Sequence, residues 1–475
     1  MASVHRLKNL SVTLVSKYFF ATLALLFALN NELLARAGGG GGGHSSGGGH
    51  SSGGYHGGGG GYYGHGYGGG GGGGMSPSIV ILIIIIVVVY VIIKGRSAGS
   101  QQTAGEDVTA NMPTVPFPDG LDKAKVQTSF VEIQQAWQKK DLKDVRKWIS
   151  DGVYQRYTAQ FQMMNKLSQV NKLNNIQING IKLAKTGVDG KYQTADVAIS
   201  FTMDDEFLSD KYPQFNERFL GDSDTEFWTF IKRQDATGNK NLYDNNNCPN
   251  CGAPLEIKMG EISRCGQCGT LTNNASYDWV LSEITQADDY DGGAGMENNA
   301  ELHQLTQHDN LFSVQRIEDV ASNVFMQIME VLTGESDKKL ARFAEPNTVA
   351  DIIQQKAAMG NVVFDRLYLN DVTLRNFNTT TERLNLEFSL TATFQRVRAA
   401  QSLTLLDQDM VTRQFSLVLS KNLKGLQTPA KETVYSYECA NCGAPFGDTT
   451  NDVCPYCGTA VIDFNRNWVL TEFKM

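Results

Sequence analysis

Eight cysteines carry the clearest potential for chemistry in this chain of 475 residues. All eight fall in Cys-x-x-Cys pairs, and the pairs form two blocks whose inner loops have 13 and 11 residues. Four thiolates in such a block can close a tetrahedral site around Zn²⁺, with no open position for a substrate. Iron and a redox-active disulfide are the alternatives, and structural zinc is favoured over both. We therefore predict two zinc ions per chain, one in the first block (Cys248, Cys251, Cys265, Cys268) and one in the second (Cys439, Cys442, Cys454, Cys457).

Charge argues against a role for these blocks on nucleic acid. The chain has 42 Lys+Arg and 50 Asp+Glu, of which the first 94 residues hold five basic and one acidic residue. The remainder therefore carries 37 bases against 49 acids, a formal charge of −12. Binding to a phosphate backbone needs a basic face that releases counterions. A zinc-ribbon nucleic-acid adaptor is therefore a disfavoured alternative.

Few residues remain for catalysis. With every cysteine assigned to metal, no thiol is left as a nucleophile, and four of the seven histidines lie in a glycine tract. Beyond residue 94 the only histidines are His303 and His308. This composition disfavours catalysis that depends on histidine or cysteine. We predict that the protein is not an enzyme.

Acidic and aromatic residues offer the remaining candidates for a site. Asp204-Asp205-Glu206 and the group Asp222, Asp224 and Glu226 lie in polar runs, so we expect both in solvated loops between strands. Three tryptophans are expected in the core of a sheet rather than as platforms for a ligand: Trp228, Trp279 and Trp468.

The first 93 residues are predicted to form targeting and membrane segments. Residues 1–37 combine basic residues, a short apolar run and a small-x-small site, which predicts a signal peptide or, alternatively, a first membrane helix. Residues 38–74 hold 25 of the 48 glycines and form a low-complexity tract. Residues 75–93 are apolar enough, and at about 1.5 Å per residue long enough, to span a bilayer as one helix. Lys94 and Arg96 follow at once, so the positive-inside rule places the glycine tract outside and the C-terminal part in the cytoplasm.

The rest of the chain repeats itself. The motif Cys-x-Asn-Cys-Gly-Ala-Pro at Cys248 recurs at Cys439, and a Trp-Val-Leu motif begins 11 positions after the last cysteine of each block. A polar linker at 97–120 and a second, acidic linker at 287–312 flank the repeats. The sequence thus predicts two tandem domains, at 121–286 with a zinc ribbon at 248–268 and at 313–475 with a zinc ribbon at 439–457.

Each repeat predicts the same order of elements. Helical spacing of apolar residues marks a first helix in each copy, and further helical stretches follow at 142–167 and 338–358. Alternating apolar runs then indicate antiparallel strands, and the cysteine block precedes the final strand. The residues that carry these patterns are Val126, Phe130, Ile133, Trp137, Ile178, Val197 and Phe201 in the first copy, and Val324, Phe325, Ile328, Val331, Leu369, Leu386 and Phe388 in the second. The predicted class is α+β, with helices packed on a curved antiparallel sheet.

These residues resemble a known family. The run Phe130-Val-Glu-Ile133-Gln134-Gln-Ala136-Trp137, followed by Asp141-Leu142, Trp148 and Val153-Tyr154, resembles the Tim-forty-four-like (Tim44-like) domain. That domain is the C-terminal module of the matrix-side tether of the mitochondrial presequence translocase, and it also occurs in bacterial membrane proteins. The resemblance implies the cone-shaped α+β fold of nuclear transport factor two, in two tandem copies. The duplication and the cysteine blocks depart from the mitochondrial tether, so function carries over only as a class.

Together these features predict a membrane-anchored, cytoplasm-facing scaffold or adaptor in the bacterial inner membrane. The resemblance implies a role in protein transport or assembly with an unidentified protein partner. An enzyme or small-ligand binder that uses the pocket of a cone is the alternative.

Overall fold

The computed structural model describes residues 107–236, 241–255, 262–292, 295–427, 429, 437–447 and 451–475. The predicted signal peptide, glycine tract and membrane helix lie outside the described residues. Among the described residues, no helix combines the length and apolar character needed to cross a membrane.

The first domain places helices ahead of a four-stranded antiparallel sheet, with the strands in the order β1-β2-β3-β4. A short turn of 3-10 helix, Pro213–Phe215, lies between the second and third strands. The elements are α1 (Val108–Asn111), α2 (Lys123–Lys139), α3 (Asp151–Lys166), β1 (Gln169–Asp189), β2 (Tyr192–Ser209), β3 (Glu217–Arg233) and β4 (Val280–Gln286).

Helix α2 shows how the pattern becomes a packed element. The Asp122 side chain caps its start by accepting a hydrogen bond from the Lys125 N–H at 2.8 Å. The predicted apolar positions of α2 are all buried. The Phe130 ring lies 4.8 Å from the ring of Phe201 on β2 and 5.6 Å from that of Trp228 on β3. The helix therefore packs on one face of the sheet, as the spacing predicts.

The second domain repeats this order. Its sheet runs β5-β6-β8-β9, and the short strand β7 pairs with β6. The elements are α4 (Ala300–Thr306), α5 (Val314–Leu332), α6 (Pro346–Met359), β5 (Val363–Thr379), β6 (Arg383–Ala399), β7 (Leu403–Leu405), β8 (Val411–Asn422), α7 (Leu423–Leu426) and β9 (Val469–Lys474), with 3-10 turns at Met296–Asn298 and Leu340–Arg342. The predicted α+β class with antiparallel sheets is confirmed.

One local contact is the same in both domains. Ile149, just before α3, forms a parallel bridge with Leu281 on β4, and Ala344, just before α6, forms one with Leu470 on β9. Each final strand is thus held on its free side by the segment that leads into a helix. This equivalence agrees with the internal repeat read from the cysteine blocks.

The acidic clusters were expected in loops, and that expectation is wrong. Asp204-Asp205-Glu206 lies within β2, and Asp222, Asp224 and Glu226 lie within β3. Asp205 and Glu226 are fully buried. The strands are 18 and 17 residues long, so they continue through runs that look too polar for a sheet interior. The three tryptophans are buried, as expected.

The two predicted domains are in extensive contact, and the described residues all fall in one compact unit of the chain. Tyr368 on β5 packs into the apolar core of the first domain. In return, Met163 of α3 packs into the core of the second domain. Neither core is therefore closed by its own domain alone.

Both predicted linkers contact the domains over part of their length. Ahead of the first domain, the Asp119 carbonyl accepts a hydrogen bond from Trp279 Nε1 at 3.0 Å, and Phe117 packs against the core. Within the second linker, Leu302 of α4 is buried, and the Tyr290 ring stacks on Phe227 at 3.8 Å. The residues next to the domains are thus part of the folded body.

Candidate metal centres

Two clusters of four cysteines are the strongest candidate sites. Each predicted set comes together in space, with all four sulfur atoms within 4.8 Å of one another. In the first set, Cys248 Sγ lies 3.6 Å from Cys268 Sγ, and Cys251 Sγ lies 3.8 Å from Cys265 Sγ. The corresponding pairs in the second set, Cys439–Cys457 and Cys442–Cys454, are both 3.8 Å apart.

These separations fit one ion per cluster. A disulfide would bring two sulfurs to about 2.05 Å. Four sulfurs at about 2.3 Å from a central Zn²⁺ lie about 3.8 Å apart along each edge of the tetrahedron. The distances therefore fit a four-thiolate metal site and not a pair of disulfides. Among the described residues, no other group of three or more His, Cys, Asp or Glu side chains comes this close together.

The backbone of each Cys-x-x-Cys pair forms a tight turn that aims both sulfurs inward. In the first pair, the Cys248 N–H donates to the Ala253 carbonyl at 2.7 Å, and the Gly252 N–H donates to the Cys248 carbonyl at 2.9 Å. Gly252 has a φ of +77°, in the left-handed region where glycine carries no steric cost. The other three pairs close in the same way, and the glycine after each has a φ between +70° and +75°.

Burial differs between the two cysteines of every pair. The first cysteine is buried and the second is exposed in all four pairs. Burial raises the pKa of the Cys248 thiol to about 12. The hydroxyl and backbone N–H of Thr270 instead lower the pKa of the exposed Cys268 thiol to about 6. Since a metal ligand must be a thiolate, this lowered pKa disposes Cys268 to bind a metal ion. Exposure alone does not decide this, because the pKa of the exposed Cys442 thiol is raised to about 11.

An asparagine and a threonine support each cluster from the same positions. Asn250 Nδ2 lies 3.6 Å from Cys268 Sγ and donates to Thr270 Oγ1 at 3.0 Å. In the second cluster, Asn441 Nδ2 makes the equivalent contacts with Cys457 Sγ and Thr459 Oγ1, at 3.6 and 2.9 Å. Thr459 also lowers the pKa of Cys457, to about 5. These residues recur at equal positions in both blocks, but no role was predicted for them from the sequence.

The first ribbon is anchored to the turn that precedes α3. Lys147 Nζ donates to Asn246 Oδ1 at 2.6 Å, just ahead of the first cysteine. Ser263 Oγ donates to the Arg146 carbonyl at 3.2 Å, and it lies 2.7 Å from Thr272 Oγ1 across the base of the ribbon. The metal cluster is thus fixed relative to the helices of the first domain.

The bases of the two ribbons also contact each other. Arg264 of the first ribbon lies against Glu438 of the second, with Nε–Oε1 at 3.0 Å and Nη2–Oε2 at 2.6 Å. Leu271 and Tyr437 form a small buried apolar cluster beside this ion pair, with Ile262 packed on it. The two candidate centres therefore stand next to each other at the boundary between the domains.

Comparison with known proteins identifies the domain that carries the first ribbon. Residues 123–240 match the family model of the Tim44-like domain. The first domain contains a Tim44-like region at residues 123–240. The match includes α2, α3 and the first three strands, and it ends before Cys248. The first cysteine cluster therefore lies outside the Tim44-like region that the match covers.

A search of curated proteins and a search of solved structures each returned no match. The matched residues confirm the resemblance drawn from Phe130 to Trp137, since that run lies within the Tim44-like region. The second domain lies outside the matched residues.

Proposed function

We propose that the protein is a membrane-anchored scaffold or adaptor with a role in protein transport or assembly. The Tim44-like match at residues 123–240 is the observation that carries this proposal. The apolar segment at 75–93, with Lys94 and Arg96 after it, supports an anchor whose C-terminal side faces the cytoplasm of a bacterial cell. The partner is a protein, since the acidic C-terminal part disfavours nucleic acid.

We also propose that the second domain is a second Tim44-like domain. It has the same order of helices, strands and cysteine cluster as the first domain. The equivalent bridges made by Ile149 and Ala344 support a common plan. Two copies joined into one body would present a larger docking surface than a single domain.

The metal in each cluster is proposed to be structural Zn²⁺. Sulfur separations of 3.6 to 3.8 Å fit a tetrahedral thiolate site, and four protein ligands leave no position for a reacting water. The ion would hold each Cys-x-x-Cys turn in place, and these turns have little apolar core of their own. This role is that of a scaffold and supplies no catalysis.

The scaffold proposal requires the anchor. A scaffold acts at a fixed distance from the bilayer, whereas an enzyme for a soluble metabolite needs no anchor. A protease site inserted between residues 97 and 104 would release the domains without disturbing Thr109 and Phe117, which pack on the first domain. We expect the released protein to fold and to fail to complement a strain that lacks the gene.

The control replaces residues 75–93 with an unrelated membrane helix of the same length and orientation. This chain should complement, because the proposal needs the anchoring and not the particular apolar sequence. Full complementation by the released domains would contradict the scaffold proposal. Chemical crosslinking of the anchored protein in membranes then provides the route to the partner.

A further inference from the structure

One ion pair joins the two cysteine clusters through residues that directly precede metal ligands. Arg264 comes just before Cys265, and Glu438 comes just before Cys439. The guanidinium and the carboxylate face each other with two parallel hydrogen bonds, at 3.0 and 2.6 Å. Such a bidentate contact is directional, so it forms only when both backbones hold their places. The position of each ribbon is therefore set in part by the other.

Arg264 also contacts its own ribbon. Its Nη1 donates to the carbonyl of Gly269, the residue after Cys268. One guanidinium thus connects the turn that holds Cys265 and Cys268 to the base of the second ribbon. Metal binding fixes that turn, because two of its residues are ligands. Loss of the ion would release the turn and with it the placement of Arg264.

The Glu438 carboxylate would be destabilised if the Arg264 guanidinium moved away from it. The Glu438 side chain is only 3% exposed, whereas that of Arg264 is 32% exposed. A buried carboxylate that loses its counterion is strongly destabilised. The penalty falls on the segment that leads into Cys439, and hence on the second cluster.

Tyr437 extends the contact to both domains. Its ring packs with Leu271 at the base of the first ribbon. Its hydroxyl donates to Gln155 Oε1 on α3 at 3.2 Å and accepts a hydrogen bond from Lys339 Nζ of the second domain at 3.4 Å. The base of the second ribbon therefore touches the first ribbon, the first domain and the second domain at one point.

We propose that the two metal centres form one coupled clasp, in which an ion bound in either cluster raises the affinity of the other and holds the two domains together. The inference rests on the proposed binding of metal by both clusters and is independent of the partner protein. Coupling between sites is reciprocal, and typical coupling factors are about 5- to 150-fold. We expect a factor in that range.

The test uses the full chain in detergent, with Co²⁺ as the probe, because cobalt–thiolate absorption reports filled clusters. Cys251→Ser/Cys268→Ser leaves the second cluster, and Cys442→Ser/Cys457→Ser leaves the first. Competition with a chelator gives each binding constant. The overall two-ion constant of the unaltered chain, divided by the product of the two single-cluster constants, is the coupling factor. A variant in which all eight cysteines are replaced by serine measures the background binding of cobalt by the histidines of the glycine tract.

Variants of the ion pair show whether it carries the coupling. Arg264→Gln and Glu438→Gln should each bring the factor close to one while both clusters still bind cobalt. The charge reversal Arg264→Glu/Glu438→Arg should restore part of the coupling factor. Such a recovery would show that the lower factor in the single variants does not come from a general failure to fold. Val453→Ala is the matched control, since Val453 holds the position of Arg264 in the second ribbon and is 49% exposed. It should leave the factor unchanged.

Each result decides the proposal. A factor of at least five that depends on Arg264 and Glu438 supports the clasp. If both clusters bind cobalt with a factor below five, the clasp is wrong and the proposed metal sites stand. A factor that survives both glutamine variants also overturns the clasp. If neither cluster binds cobalt or zinc, the metal proposal and the clasp fail together.

Discussion

Asp319 on α5 accepts a hydrogen bond from Ser150 Oγ at 2.5 Å, across the boundary between the two domains. The same carboxylate oxygen accepts from the Gly152 N–H at 3.0 Å. Ser150 is itself the N-cap of α3, so a residue of the second domain completes the start of a helix in the first. Burial raises the pKa of Asp319 from an ordinary value of 3.8 to about 7.

This shift predicts that the stability of the protein depends on pH through Asp319. Between about pH 4 and pH 7 the folded chain holds a proton that the unfolded chain has released, so the free energy of unfolding falls as the pH rises through that window. Asp319→Asn keeps an oxygen acceptor and cannot ionise. It should remove a slope of up to about 1.4 kcal/mol per pH unit, measured by urea unfolding at pH 5, 6, 7 and 8.

A control for the Asp319 prediction is Asp351→Asn, on the exposed side of α6. This variant makes the same chemical change at a carboxylate that is exposed to water. Both variants are compared with the unaltered chain, so the contributions of other carboxyl groups cancel. Identical slopes in the Asp319→Asn variant and the unaltered chain would show that Asp319 is ionised in the folded protein.

Gly152 is predicted to be intolerant of even one methyl group. A Cβ at this position would lie 2.2 Å from Asp319 Oδ1 and 2.5 Å from the Asp319 carbonyl oxygen. Alanine normally favours a helix by about 1 kcal/mol over glycine, so a loss of stability can come only from this contact. We expect Gly152→Ala to lower the free energy of unfolding by about 1–3 kcal/mol. Gly187→Ala, whose Cβ would meet only Thr194 Oγ1 at 3.0 Å, should cost less.

The parts of the fold that depend on neighbouring residues could be predicted from the sequence. Phe130 and Trp137 repeat with the period of a helix and are buried in α2. The cysteine sets come together because each needs only two tight turns and a short loop. The buried Trp279, just before the last strand of the first domain, was likewise marked by the repeat.

Contacts between distant segments could not be predicted in this way. The polar residues around Asp205 predict a loop, yet Asp205 lies in a strand and its partner Asn171 lies 34 residues earlier on β1. Arg264 and Glu438 are 174 residues apart, and the equivalent positions in the other ribbon hold different residues. The internal repeat therefore gave no signal for the contact between the ribbons. The repeat likewise gave no signal for the contacts between the two domains.

Metal content gives a direct prediction. We expect two zinc ions per full-length chain by elemental analysis, and one ion in either Cys251→Ser or Cys442→Ser. Both residues are the exposed members of their pairs, so serine fits the space and removes only the thiolate. A strong chelator at pH 7 should release both ions and lower the thermal midpoint. Zero or one zinc in the unaltered chain would contradict the prediction.

The buried pair of Arg156 and Glu283 predicts a large effect from removing one partner. Arg156 on α3 pairs with Glu283 on β4, and its Nε donates to Ser322 Oγ on α5 at 2.7 Å. Arg156→Ala leaves the Glu283 carboxylate buried without its counterion, which should cost about 3–5 kcal/mol. Ser322→Ala removes only one hydrogen bond and should cost about 1–3 kcal/mol.

The double variant Arg156→Met/Glu283→Gln separates loss of the ion pair from loss of packing. It should be more stable than Arg156→Ala, because no charge is left unpaired in the interior. Denaturant unfolding of the single and double variants measures the difference. Equal stabilities of Arg156→Ala and Ser322→Ala would show that Glu283 does not need the charge of Arg156.

The membrane topology can be tested with the cysteines themselves. Lys94 and Arg96 follow the apolar segment, and this predicts that the cysteine clusters face the cytoplasm. Cys251 and Cys442 are exposed on the folded domains, so burial in the protein would not protect them once a permeant chelator has removed the metal. A maleimide that cannot cross membranes should therefore leave the protein unlabelled in intact spheroplasts and should label it after permeabilisation.

Ser51→Cys, in the glycine tract, is the matched control for the topology prediction and should react in intact spheroplasts. The opposite pattern, with the native cysteines labelled from outside and the added one protected, would reverse the proposed orientation.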